Sequence, residues 1–197
     1  MKRVVVAITG ASGAVYGRAV VETLLAADVP VDLVASPPAE RVARDELDAG
    51  WTRPALEQWL GARAAAVTLH RHDDIGAAIA SGSCPVRGMI VAPCSMGSAG
   101  RIAAGLSDAL IERAADVQLK ERRPLVLVVR ETPLSLLHLE NLTRLARAGA
   151  TVLPAAPGFY ARPQTIADLV RFVAERAVAA VGVEARRSVE WKGDAPP

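Results

Sequence analysis

Three short segments set small residues and hydroxyls directly after apolar runs of strand length. Thr9-Gly10-Ala11-Ser12-Gly13-Ala14-Val15-Tyr16-Gly17 follows the run 4–8, Ser36-Pro37-Pro38 follows 31–35, and Pro93-Cys94-Ser95-Met96-Gly97-Ser98 follows 88–92. Small residues let backbone approach a ligand, and the free amides of a helix that starts there attract anions. The chemistry on offer is therefore the binding of a nucleotide or another phosphate-bearing molecule. A tight packing turn or a simple helix cap explains each segment equally well in isolation. The first segment is neither GxGxxG nor the Walker pattern, so it names no particular nucleotide.

Charged residues stand at related places. Glu46 lies about three helical turns beyond Ser36, and Arg130-Glu131-Thr132-Pro133 follows the run 125–129. Arg113 and Lys120 are seven apart, so at about 100° per residue they share one helical face and form a candidate anion site. Asp116 near that face would instead tie them into an ion-pair network. All but three of the 23 cationic residues are Arg, which singles out Lys120 among them. Pro154-Ala155-Ala156-Pro157-Gly158-Phe159-Tyr160 ends in an aromatic pair, where Tyr160 would hold a phosphate through its hydroxyl or cover a sheet edge. His70, His72 and His138 have no metal-ligand spacing with acids or thiols and read as structural or surface residues, and no Ser-His-Asp arrangement is evident.

The elements that must position these residues alternate. Strand candidates at 4–8, 31–35, 67–70, 88–92, 125–129 and 151–154 are separated by helical stretches at about 14–27, 38–49, 54–64, 95–105, 108–121, 135–148 and 165–182. That is the pattern of βαβ units: a parallel sheet covered on both faces, a three-layer αβα architecture of Rossmann-like or flavodoxin-like type. In such a sheet ligands bind outside the carboxyl ends of the strands, where the special residues above all fall. Asp108 and Ser135 are positioned to cap helices and Gly149 to end one. Residues after Gly182 turn polar and read as a tail that carries Trp191.

Composition narrows the class. With 197 residues, 51% apolar, the chain suits one sizeable core better than two domains. No apolar run approaches the roughly 20 residues needed to span a bilayer, and no signal peptide pattern is seen, so a cytoplasmic protein without membrane contact is expected. A net charge of +2 with acids and bases interspersed gives no basic stripe for nucleic acid. Cys84 and Cys94 lack CxxC spacing and are expected as two buried thiols, neither zinc ligands nor a disulfide.

Taken in order, these segments resemble the UbiX-type flavin prenyltransferases over about residues 3–182. The resemblance rests on Gly10-Ala11-Ser12-Gly13-Ala14, Pro93-Cys94-Ser95-Met96, Glu112-Arg113-Ala114-Ala115-Asp116-Val117 with Leu119-Lys120-Glu121-Arg122-Arg123, Arg130-Glu131-Thr132-Pro133, His138-Leu139-Glu140-Asn141 and Pro157-Gly158-Phe159-Tyr160. It departs in having Ser98 where the family usually has Thr, and Pro37-Pro38 where a Lys-Ala pair is common.

The resemblance implies a flavoprotein domain over 1–183 and a tail over 184–197. It implies a site between subunits of a homododecamer, with Gly10, Ala11, Ser12, Ser36, Ser95, Met96, Gly97, Ser98 and Arg130 contacting FMN. Tyr160 and Arg176 would hold dimethylallyl phosphate, aided by Arg113 and Lys120. Glu46, Ser12, Lys120, Glu131 and Trp191 would serve catalysis, Glu46 as a proton donor or acceptor if burial raises its pKa, and Trp191 through cation–π attraction. The implied reaction is a metal-independent transfer of a dimethylallyl group to N5 and C6 of reduced FMN. Its product, prenylated FMN, would pass to a UbiD-type decarboxylase. Two rivals remain: a non-catalytic FMN carrier, and a flavin-dependent decarboxylase of similar fold, whose catalytic histidine and PxMNxxMW-type motif are not visible here.

Overall fold

Val4, Val6 and Ile8 pack into one hydrophobic core and Val5 and Ala7 into another, all at most 1% exposed. An uncharged β-branched run of this kind is stable only as a central strand covered on both faces. The computed structural model describes residues 2–160 and 162–184. In chain order its elements are β1 (Arg3–Ile8), α1 (Ala14–Ala26), β2 (Val31–Ala35), α2 (Pro37–Leu47), α3 (Arg53–Leu60), β3 (Val67–His70), β4 (Val86–Cys94), α4 (Met96–Ala103), α5 (Leu110–Lys120), β5 (Leu125–Val129), α6 (Leu136–Arg147), β6 (Thr151–Pro154) and α7 (Ile166–Ala180).

The six strands form one parallel sheet in the order β3-β2-β1-β4-β5-β6. Helices α1, α2, α3 and α7 bury their apolar faces against one side, and α4, α5 and α6 against the other. The expected three-layer αβα parallel architecture is present, and the strand order is the Rossmann-type one, with its reversal between β1 and β4.

Local chemistry explains the helix starts. Ser36, Ser95 and Ser135 each accept a hydrogen bond from the amide three residues on, satisfying a donor that the helix itself cannot. Ser135 caps as expected, and the His138 Nδ1 accepts from the Ser135 amide to complete a capping box. Gly149, at φ +102°, lies just past α6 in a backbone region that favours glycine.

Some expectations change. Asp108 does not cap α5: the helix starts after Ala109 without a side-chain cap, because Arg101 draws the Asp108 carboxylate away at 2.6 Å. The stretch 54–64 is not one helix, since α3 ends at Gly61 and a 3-10 turn, Gly61–Ala66, follows; a second such turn occupies Ala78–Ala80. Cys94 is buried, its thiol pushed up to about 12 by burial and by the nearby Glu112, whereas Cys84 is only half-buried. Among the described residues no helix is long and apolar enough to cross a membrane.

Candidate functional site

Because α1 leaves β1 on one face and α4 leaves β4 on the other, the carboxyl ends of these neighbouring strands bound an open crevice. Thr9 fastens the two sides. Its buried Oγ1 donates to the Pro93 carbonyl at 2.8 Å and accepts from the Ser95 amide at 2.7 Å, while its own amide donates to the same carbonyl. Thr9 was absent from the candidate residues, although its hydroxyl at a strand end was a readable signal.

The loop after β1 turns through Gly13 at φ +106°, so α1 begins with no cap from its own N-cap residue. Glu46, from the last turn of α2, supplies one. Its carboxylate accepts from the Gly13 amide at 2.9 and 3.0 Å and from the Ala14 amide at 2.8 Å. Burial pulls Glu46 upward in pKa, but hydrogen bonds from Ser12, Ala14 and Gly13 and the charge of Arg130 prevail, leaving it below its ordinary value. Burial therefore does not leave the Glu46 pKa raised, the condition expected of it as proton donor or acceptor. The residue is exposed, a carboxylate, and an acceptor. Pro38 packs against the same loop so closely that a Cβ at Gly10 would lie 2.5 Å from the Pro38 Cβ. The unusual proline is thus accommodated by Gly10, and Ser36 keeps its capping bond at 3.3 Å.

Across the crevice, Ser95 Oγ donates to Ser98 Oγ at 3.2 Å and accepts from the Ser98 amide, so both hydroxyls cluster at the first turn of α4. Gly97 between them has open space where a side chain would start, and Met96 is buried in the second core. Arg130 leaves β5 beside Gly13, and its Nε is buried without a hydrogen-bond partner. A buried guanidinium donor without a partner among the described residues, beside the Gly13 loop, fits a ligand that brings its own anionic oxygens, as FMN would. Gly10, Ala11, Ser12, Ser36, Ser95, Met96, Gly97, Ser98 and Arg130 all stand at the ends of β1, β2, β4 and β5.

A second cluster borders the edge strand β6. Leu153, Pro154, Tyr160, Phe172 and Arg176 line a cavity of about 490 Å³. Tyr160 meets Phe172 edge-on at 5.9 Å, and the Arg176 guanidinium lies over the same ring at 5.5 Å, so one phenyl group aligns a phenol and a cation. Glu131, at the exposed end of β5, accepts from the Thr132 amide.

Arg113 and Lys120 do not join either cluster within one chain. Helix α5 starts near the carboxyl edge, where the Leu110 amide donates to the His72 carbonyl. It ends at the amino edge, where Lys120 pairs with Glu121 beside Gly82. Arg113 donates to the Ala80 carbonyl and to Asp116 at 2.9 Å. Asp116 therefore ties down Arg113 but not Lys120. Trp191 lies outside the described residues. His70 Nε2 donates to the Asp32 carboxylate, 2.9 Å away, a structural pairing as expected. A groove of about 1110 Å³, walled mainly by α1, α3 and α7, is lined by none of these residues.

Comparison with known proteins agrees with this layout. A family model described as Flavoprotein matches residues 1–178. The chain is 43% identical over 196 residues to the flavin prenyltransferase UbiX of Synechocystis sp., covering 96% of this chain and 95% of that protein. Among solved structures, AnUbiX in complex with FMN and dimethylallyl pyrophosphate is 39% identical with a TM-score of 0.85, covering 97% of this chain and 99% of the other. A dodecameric FMN-dependent UbiX-like decarboxylase from Escherichia coli O157:H7 is 40% identical with a TM-score of 0.85, over 97% and 99% of the two chains. Matched along nearly its whole length in sequence and in its parallel αβα fold, the chain belongs to the UbiX-type flavin prenyltransferase family.

Proposed function

We propose that this protein transfers the dimethylallyl group of dimethylallyl phosphate to N5 and C6 of reduced FMN, releasing phosphate and giving prenylated FMN for a UbiD-type decarboxylase in the cytoplasm. The observation that carries the reading is the presence of two anion-accepting clusters. One, at the β1/β4 crevice, holds Ser36, Ser95, Ser98 and Arg130; the other, over β6, holds Tyr160 and Arg176. A carrier of FMN alone has no use for the second. The relative whose structure contains both FMN and dimethylallyl pyrophosphate supports the pairing of these ligands.

Reduced FMN, when bound, supplies the nucleophilic ring to which the allyl carbon is joined. The chain's own residues do the rest. Ser95, Ser98 and the amides at the start of α4 hold the flavin phosphate, and Arg130 directs its unpaired Nε toward the ligand. Tyr160 and Arg176 bind the phosphate of the donor and stabilise its departure. Lys120 and Arg113 add charge from a neighbouring copy, consistent with a relative that is dodecameric. Glu46 accepts a proton through Ser12, the hydroxyl bonded to it. Glu131 and Trp191 line the prenyl side, and Trp191 offers its π face to allylic positive charge. The reading needs no metal.

Anaerobic incubation with reduced FMN and dimethylallyl phosphate, followed by mass spectrometry of the extracted flavin, tests it. The expected result is a five-carbon mass gain. Bound FMN that gains no mass marks the protein as a carrier, and carbon dioxide release from a carboxylated substrate marks a decarboxylase. A Glu46→Gln enzyme that turns over normally removes the proton-acceptor role.

A further inference from the structure

Where β1 and β4 part, one side chain takes over the work of the sheet. The Thr9 amide, just past β1, donates to the Pro93 carbonyl at 3.2 Å. A parallel ladder carried one step further would send the Ser95 amide to the Thr9 main-chain carbonyl. It does not continue so, because α1 leaves on one face of the sheet and α4 on the other. The Ser95 amide goes instead to Thr9 Oγ1 at 2.7 Å, and that hydroxyl donates in turn to the Pro93 carbonyl at 2.8 Å. An amide only donates and a carbonyl only accepts, so the direction of both bonds is fixed. The branch at Cβ leaves χ1 little freedom to undo them.

Thr9 is 1% exposed and its hydroxyl is spent on these two bonds, so it acts on a ligand only through what it holds. What it holds is both walls of the crevice. On one side the next residues are Gly10, Ala11 and Ser12. On the other is Ser95, whose Oγ accepts from the Ser98 amide and donates to the Ser98 hydroxyl, each at 3.2 Å.

We propose that Thr9 is a positioning residue for the flavin: its hydroxyl fixes the gap between the Gly10–Ser12 loop and the first turn of α4, and so sets the affinity for FMN before the ligand arrives. That the crevice holds FMN rests on the function proposed above; the coupling of its two walls rests on the geometry. Without the hydroxyl, the Ser95 amide loses its partner and recovers one only by turning toward water or the ligand. Either turn carries the Ser95 and Ser98 hydroxyls away from the places where they meet a phosphate. A site already built spares the ligand the cost of ordering it, and that advantage is what the bond protects. The Tyr160–Arg176 pocket borders β6, two strands away from β4, and is not held by this bond.

The test uses the full chain in its native assembly, stripped of flavin and titrated with FMN. Thr9→Val keeps the shape and removes the hydroxyl, and its Kd for FMN should rise about tenfold, the worth of one hydrogen bond to a buried amide. Thr9→Ser keeps the hydroxyl and should stay within about twofold of the wild type. In turnover, Thr9→Val should raise the KM for FMN, with the KM for dimethylallyl phosphate moving far less. A loss in Thr9→Ser equal to that in Thr9→Val overturns the proposal, since packing and not the hydroxyl is then at work. Should Thr9→Val fail to assemble, hydrogen exchange on the flavin-free wild type decides. Residues 94–98 should be protected before FMN is added, and exchange there as fast as in an exposed loop overturns the proposal. A wild type that binds no FMN overturns the function proposed above and this proposal with it, whereas FMN bound equally by the wild type and Thr9→Val overturns this proposal alone.

Discussion

Glu46 shows how far one side chain's role depends on its partners. As a residue of α2 it is an unremarkable exposed acid; as the acceptor of two amides at the start of α1 it substitutes for a missing cap. Its folded pKa is depressed below the ordinary 4.5, so the stabilisation it contributes is complete above that value and is lost as pH falls through the folded pKa. The melting temperature of the wild type should therefore exceed that of Glu46→Gln by a constant margin from neutral pH down to about 4.5, and the margin should close in more acid solution. Thermal melts across pH check this, and a margin that grows in acid contradicts it. That Glu46 belongs to the site was legible only through the resemblance. Its bond to another helix was not, because capping motifs are read within a few residues and this one spans more than thirty.

At the scale of elements, the pairing of α4 with α5 depends on one buried acid. Glu112 is 4% exposed, takes a hydrogen bond from Arg101 through Oε1 at 3.1 Å, and has no partner at Oε2. Arg101 is half in solvent and has Asp108 as well. The two ends of this bridge are therefore unequal. Arg101→Ala strands a buried carboxylate and should lower the melting temperature clearly, whereas Glu112→Gln leaves Arg101 with Asp108 and should lower it less. Thermal unfolding of both variants checks the order; equal losses contradict it. The elements themselves were largely legible: β-branched runs and turn residues located all six strands, most clearly the uncharged runs 4–8, 88–92 and 125–129 of the central strands. The end of α3 and the start of α5 were not. There a 3-10 turn and the competition of Arg101 for Asp108 overrode local propensity.

Across the whole molecule, the apolar surface is not evenly covered. Leu136 and Leu137 at the start of α6 are each 70% exposed, as is Phe159 beyond the neighbouring strand β6. Leucines gathered at an exposed helix start are what the proposed contact with a second copy would cover. Leu136→Asp/Leu137→Asp should lower the mass seen by light scattering and donor use with it, while circular dichroism stays native; an assembly of unchanged mass contradicts this. The sheet-edge logic reached a phosphate ligand, and the resemblance supplied flavin and the prenyl donor. What neither could locate was the side of the molecule on which each cation stands, because helical spacing says which residues share a face and not which end of the sheet that face reaches. Helix α5 runs from the carboxyl edge to the amino edge and leaves Lys120 on the side of the domain opposite to Ser95 and Arg130. If each chain lends its lysine outward and borrows one in return, as the proposed function requires, a differently damaged neighbour can repair it. Inactive Lys120→Ala and Arg176→Ala proteins, unfolded together and reassembled in equal amounts, should regain activity in about a quarter of their sites, a form of complementation that no enzyme with a self-contained site can display.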